Sequence, residues 1–303
     1  MGDATPPLAR PLLPPSVMNT RGLGSSALGV SLVFCGACTG PASGGDRDTA
    51  ELAGAREPVL VVLGGFNSCL GTSARPTPVG SDRWDRAVRL SARFARTDSR
   101  WVRGCFDGAG RLHWISSAAP ATVRTAPLDA LEPFFAAVSE RVGPPGRPVY
   151  LLGHSYGAWL AMFAVWSLAP SADVRLLVTV DPISPAHCSV ASYLRAAASP
   201  ASAPYYLAGC QRAPTDFTPE ARRRIVGVVR EGGWRHYYQR NFLPLRSGPF
   251  DGDGQPHRSY DLSAFLSHLG GVRPSWNAHT GIDALSVVWY TFEASIEHDL
   301  ARD

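Results

Sequence analysis

The 303-residue chain contains no lysine, so all 29 of its basic residues are arginine. That bias reads as codon usage in a GC-rich genome rather than as design. Against 25 acidic residues it leaves a formal charge of +4, too mild an excess for a nucleic-acid footprint, and a basic DNA-binding domain is excluded. No uninterrupted apolar stretch reaches the roughly 18 residues a spanning helix needs, which excludes a channel. No internal repeat is visible, and the composition fits neither a collagen-like fibre nor a coiled coil. His-Glu-x-x-His is missing, as is any Cys-x-x-Cys with a partner pair, so no zinc site and no other metal or cofactor is expected. What is present is 45% hydrophobic residues, enough in a chain this long to bury a sizeable core in one large domain or two small ones.

The amino-terminal region reads as an address. Residues 1–17 carry five prolines (Pro6, Pro7, Pro11, Pro14, Pro15) and are expected to be disordered or not translated, with Met18 as the true start. Arg21 then precedes a small, apolar stretch over 23–34, which ends at Cys35-Gly36-Ala37-Cys38. This is the pattern of a secretory signal. It resembles a bacterial lipoprotein signal, in which the processed cysteine follows small residues. Cys38, after Gly36-Ala37, fits better than Cys35, after bulky Phe34. The departure is Cys35 itself, where that pattern prefers leucine. The resemblance implies a signal over 18–38, a flexible tether over 39–56, and an exported, membrane-anchored lipoprotein, periplasmic or extracellular, held through lipidated Cys38.

Four cysteines remain: Cys69, Cys105, Cys188 and Cys210. An even number in an exported chain suggests two disulfides. Of three connectivities, Cys69–Cys105 with Cys188–Cys210 is favoured because each closes a local loop; four buried free thiols are the alternative.

From residue 57 the chain alternates short apolar runs with amphipathic stretches. Strands are expected over 58–63, 100–105, 112–116, 148–152, 174–180 and 234–242. Helices are expected after Ser81 (Trp84, Val88, Ala92), across Leu128, Leu131, Phe135 and Val138, over 158–168, near 219–229, and from about Ile282 with Leu285, Trp289, Phe292 and Ile296 on one stripe. Pro133 conflicts with the second helix unless it begins near Leu131. The continuous runs suit strands buried on both faces, and the alternation implies an α/β fold with a mostly parallel central sheet flanked by helices.

Gly153-His154-Ser155-Tyr156-Gly157 matches G-x-S-x-G between an expected strand and an expected helix. A turn this tight needs glycine where strand and helix backbones approach, and it lifts the serine to the carboxyl end of the sheet. With these residues the chain, over 57–303, resembles the α/β-hydrolase superfamily in its lipase and esterase branch. The resemblance implies a serine nucleophile, Ser155, followed in chain order by an acid and a histidine. His279 is the expected base, since it lies in a loop just before the last helix; His257 and His268 are its rivals, while His187, His236 and His298 fit less well. His154 is expected to pack or to bond backbone. Asp181, ending a strand 26 residues after Ser155, is the expected acid and resembles the arrangement of pancreatic-type lipases. The commoner position one strand later offers Asp216, Asp251 and Asp253. The oxyanion hole is expected from the amides of Tyr156 and Phe66, with Asn67 as alternative donor. Residues 184–232 are either a lid or core, with Tyr193, Leu194, Tyr205, Tyr206 and Leu207 as candidate acyl-site residues.

The implied function is a serine hydrolase that cleaves small-molecule or lipid esters through an acyl-enzyme. The alternatives are an acyltransferase or thioesterase on the same triad, or a non-catalytic surface-anchored binding protein on a hydrolase scaffold.

Overall fold

Val59–Leu63 forms β1, and all five of its residues are buried. A strand apolar on both faces needs cover on both, which a parallel sheet between helices provides. In the computed structural model of the chain, residues 58–66, 68–70, 77–78, 100–117, 122–185, 188, 216–241, 247–250, 252–268, 279, 282 and 285–301 are described, and all lie in a compact unit spanning 52–303. The helix expected after Ser81 falls outside them.

Cys69–Leu70 (β2) and Thr77–Pro78 (β3) make a small antiparallel pair apart from the main sheet. Within the main sheet β1 lies between two parallel neighbours, Arg100–Phe106 (β4) and Pro148–His154 (β7). Beyond β4 the direction reverses through Leu112–Ser116 (β5) and Arg124–Ala126 (β6). Beyond β7 the parallel run continues through Asp173–Val180 (β8), Trp234–Tyr238 (β9) and Arg258–Asp261 (β10). The eight strands therefore stand in the order β10-β9-β8-β7-β1-β4-β5-β6.

That order has a consequence for function. From β1 the chain proceeds to β4 on one side and later to β7 on the other. Connections leaving the carboxyl ends of β1 and β7 diverge there, and a crevice opens at such a switch point. Gly64-Gly65 follows β1 and Ser155 follows β7, so both stand at the carboxyl ends of the two strands that flank this switch point.

The helices show why the sheet is covered. Glu132–Val142 (α1) starts with Leu131 as its N-cap and Pro133 in the first turn, where a missing N–H costs nothing. Tyr156–Ser167 (α2) is apolar nearly all round and buried from Tyr156 to Met162. Pro219–Val228 (α3) is capped by the Thr218 side chain, which accepts from the Ala221 N–H at 3.2 Å. It packs on α2, with the Phe163 and Phe217 rings 4.4 Å apart. So within the interval 184–232 the stretch around α3 is joined to the core, while Tyr193, Leu194, Tyr205, Tyr206 and Leu207 lie outside the described residues. After the short Ser263–His268 (α4), Ser286–Leu300 (α5) buries Val288, Trp289, Phe292 and Ile296. It begins at Ser286 rather than near Ile282 because Leu285 is extended (φ −62°, ψ 126°). β9 likewise stops at Tyr238, short of the expected 242. Among the described residues no helix is long and apolar enough to cross a membrane.

One expected disulfide is present: Cys69 on β2 joins Cys105 on β4, with Cα atoms 5.4 Å apart. Cys188 is also disulfide-bonded; Cys210 lies outside the described residues.

Candidate active site

Ser155 sits between β7 and α2 with φ 56° and ψ −123°. This backbone region is sparsely populated for any residue with a Cβ and costs on the order of 1–3 kcal/mol, so it persists only where the surroundings over-determine it. Here they do. The Ser155 N–H donates to the Val180 carbonyl at 2.9 Å, and its own carbonyl accepts from Ala158, Trp159 and Ile183. A Cβ on Gly153 would stand 2.3 Å from the Gly157 carbonyl oxygen, and one on Gly157 would stand 2.3 Å from that of Leu63. No side chain fits either gap, which is why this turn has glycine at both ends.

The hydroxyl faces an imidazole from 124 residues away: His279 Nε2 lies 2.9 Å from Ser155 Oγ. His279 Nδ1 lies 2.6 Å from Asp181 Oδ2. A carboxylate only accepts, so neutral His279 carries its proton on Nδ1 and leaves Nε2 to accept from the serine. The three groups form one unbroken chain and are almost wholly buried, with Ser155 2%, His279 3% and Asp181 0% exposed.

Asp181 ends β8 and, like Ser155, has a positive φ, 43°. Its N–H donates to Tyr237 O at 2.7 Å. Besides His279, its carboxylate accepts from Gln239 Nε2 at 2.9 Å, from the Ser247 N–H at 2.9 Å and from the Ser247 hydroxyl. Burial pushes this carboxyl up. The hydrogen bond and charge of His279, helped by Ser247 and Gln239, outweigh that and hold it below the usual carboxylate range. Gln239 and Ser247 are site residues that the sequence reading missed; they stand 58 and 66 residues from Asp181 and carry no motif.

Of the rival residues, His257, His236, Asp216 and Asp253 have other partners. His257 Nδ1 accepts from the Trp234 N–H at 3.0 Å, where β9 starts. His236 lies buried between Thr179 and the Gly248 carbonyl, and burial pushes its imidazole down to about 4. His268 ends α4, and His298 is exposed on α5. His187 and Asp251 lie outside the described residues. Asp216 accepts from Trp159 Nε1 at 2.6 Å, and Asp253 pairs with Arg223 at 3.2 Å. His154 bonds backbone as expected: its Nε2–H donates to the His279 carbonyl at 2.8 Å, with the two rings 4.9 Å apart.

The donors expected for an oxyanion hole are the Tyr156 and Phe66 amides. The Tyr156 amide opens α2, where no intrahelical carbonyl is available to it. Gly65 lies directly against Ser155: a Cβ there would be 2.6 Å from Ser155 Cβ and 3.2 Å from Oγ. The loop then turns tightly, with the Ser68 N–H and hydroxyl both donating to Gly65 O. Phe66 packs its ring 5.8 Å from that of Tyr156; Asn67 lies outside the described residues. The Tyr156 phenol donates to the Cys188 carbonyl, and burial pushes its ionisation well up. Its hydroxyl thereby ties the start of α2 to Cys188. Among the described residues no group of three or more His, Cys, Asp and Glu side chains is placed to hold a metal ion. Compared with protein-family models, with curated proteins and with solved structures, the chain matches none.

Proposed function

We propose that the chain is a serine hydrolase of α/β-hydrolase type that cleaves carboxylic esters through an acyl-enzyme. The observation that carries this reading is the unbroken relay from Ser155 Oγ through His279 to Asp181, at the switch point of a mostly parallel sheet. Ser155 Oγ attacks the ester carbonyl carbon while its proton passes to His279 Nε2. The new oxyanion is held by the amides of Tyr156 and Phe66. The bond to the alcohol oxygen breaks, and His279 returns the proton to that oxygen. Water then attacks the acyl-enzyme, gives its proton to Nε2, and Ser155 leaves with the proton it needs. Asp181 keeps its charge throughout, orients His279 and stabilises the imidazolium.

A fluorophosphonate probe tests the reading. Wild-type protein should be labelled once per chain and Ser155→Ala not at all; folded wild type that neither takes the probe nor hydrolyses p-nitrophenyl esters overturns it. A second reading on the same relay is transfer of the acyl group to an alcohol other than water. Products formed with an added acceptor alcohol separate the two.

Export belongs to the same proposal, with a membrane tether through Cys38. The Cys69–Cys105 disulfide is the feature that supports export. It also ties the loop after β1 to β4, beside the nucleophile. Closing a 36-residue separation is worth about 4 kcal/mol of stability in the chain-entropy picture. The Cys69→Ser/Cys105→Ser variant is therefore expected to lose stability of that order in chemical denaturation. Its kcat should fall more than its KM rises, since the loop carries a transition-state donor. Unchanged kcat at a lowered stability would leave the disulfide a purely structural role.

A further inference from the structure

We propose that His154, the residue before the nucleophile, is a positioning residue that sets the rotamer of the base; this rests on the hydrolase reading above. Two of the three relay members are placed by the sheet itself. His154 and Val180 form the last rung between β7 and β8, and Ser155 and Asp181 are the very next residues on those two strands. Each is held further by a backbone hydrogen bond, Ser155 N–H to Val180 O and Asp181 N–H to Tyr237 O. His279 belongs to no strand of this sheet. Its ring reaches the relay only if its main chain is fixed as well.

The His154 side chain supplies that fixed point. A carbonyl oxygen only accepts, so Nε2 of His154 carries a proton and donates it to His279 O at 2.8 Å. His279 is thereby pinned at both ends, at its carbonyl by His154 and at Nδ1 by Asp181. With the two ends of one residue fixed, the torsions between them are fixed too, and Nε2 stays 2.9 Å from the hydroxyl. The His154 ring, 4.9 Å from that of His279 and inclined by 38°, also occupies space into which the base would otherwise swing. Because His154 adjoins Ser155, any shift of the strand end carries nucleophile and base together. The second position of the G-x-S-x-G pentapeptide thus sets the distance between them.

Misplacing a reacting group by about 1 Å costs on the order of a hundredfold. For His154→Phe, which keeps a ring but has no donor, kcat should fall between about tenfold and a hundredfold while KM stays within about twofold. His154→Gln places an amide N–H at nearly the reach of Nε2 and should recover most of the loss. His154→Asn has the same amide but falls short and should resemble Phe. Steady-state turnover of a p-nitrophenyl ester by the full chain reads these values. The downfield proton resonance of the His279–Asp181 hydrogen bond should be displaced or broadened in Phe and Asn but kept in Gln; a merely structural role would lower the melting temperature without moving it. If Phe does not fold, the Gln–Asn pair decides alone. Wild-type kcat in Phe or Asn, or a Gln variant no better than Asn, overturns the positioning role while Ser155 labelling stands. Loss of Ser155-dependent labelling in wild type overturns the hydrolase reading, and this role with it.

Discussion

Replacing Ser155 by alanine, or His279 by alanine, is expected to lower kcat about a millionfold, and replacing both is expected to cost no more than either alone. The geometry accounts for the lack of additivity. His279 Nε2 stands 2.9 Å from Ser155 Oγ, so on the proposed mechanism each residue would act on an ester only through the other. Without the base the serine is a neutral alcohol and a poor nucleophile; without the hydroxyl the base has no proton to take. What remains should be the contribution of the Tyr156 and Phe66 amides and of substrate binding, about 10³- to 10⁴-fold over water. Steady-state kcat on an ester, with circular-dichroism melts to show that each variant folds, measures this. If either single variant keeps activity within about tenfold of wild type, or if the double variant multiplies the two losses, the residues do not act as a unit. His257→Ala serves as the control: its Nδ1 bonds backbone where β9 starts, so kcat should hold.

How much of this was legible in the sequence follows from what each feature depends on. The central strands were read to within a residue because a strand buried on both faces is largely an apolar run, as 59–63 is throughout and 174–180 is apart from Arg175 and Thr179. The turn around Ser155 was legible because its requirement is local: two glycines whose absent Cβ atoms leave room for the Leu63 and Gly157 carbonyls. Even the partner residues His279 and Asp181 could be nominated, since a position just before the last helix and the end of a strand can be read along the chain, although His279 is helical and not in the expected loop. The sheet edges were not legible. β10 reads Arg-Ser-Tyr-Asp and β6 Arg-Thr-Ala, polar as suits an edge that faces water on one side, and neither shows a period. Nor were Gln239 and Ser247. A buried carboxylate needs donors, but any donor brought close by the fold will serve, so no residue type or spacing marks them in advance. Tyr156 shows the same limit. Its amide was nominated from the motif, whereas its phenol finds the Cys188 carbonyl only in three dimensions.

Asp181→Asn is the sharper test of the acid, with an expected fall in kcat of about ten-thousandfold. Asparagine tolerates positive φ about as well as aspartate does, so the strained backbone at φ 43° is preserved, which alanine would not manage. What changes is the sign of one side of the group. The carboxylate of Asp181 meets donors on every side: His279 and Gln239 at Oδ2, and the Ser247 N–H and hydroxyl at Oδ1. An amide offers one oxygen and one NH₂. If the NH₂ faces Ser247, its backbone N–H loses its acceptor, since the hydroxyl can turn but the amide cannot. If the NH₂ faces His279, the imidazole must accept at Nδ1 and carry its proton on Nε2, where it cannot take one from Ser155. The first arrangement leaves a buried donor unpaired, at about 1–3 kcal/mol; the second stops the reaction. Because four donors solvate the carboxylate, wild type should favour neither compromise, and the variant should show both a lowered melting temperature and a lowered kcat. The pH dependence has a definite sign. The folded-state carboxyl lies below its ordinary value, whereas an unfolded aspartate titrates at about 3.9. Its stabilisation is therefore complete above that pH and is lost as pH falls through the folded value. The stability gap between wild type and Asp181→Asn should accordingly be widest at neutral pH and narrow as the solution is acidified below about pH 4, as denaturant midpoints taken across that range would show. A gap that stays constant or widens with acid would mean that the Asp181 carboxylate is not held by this network.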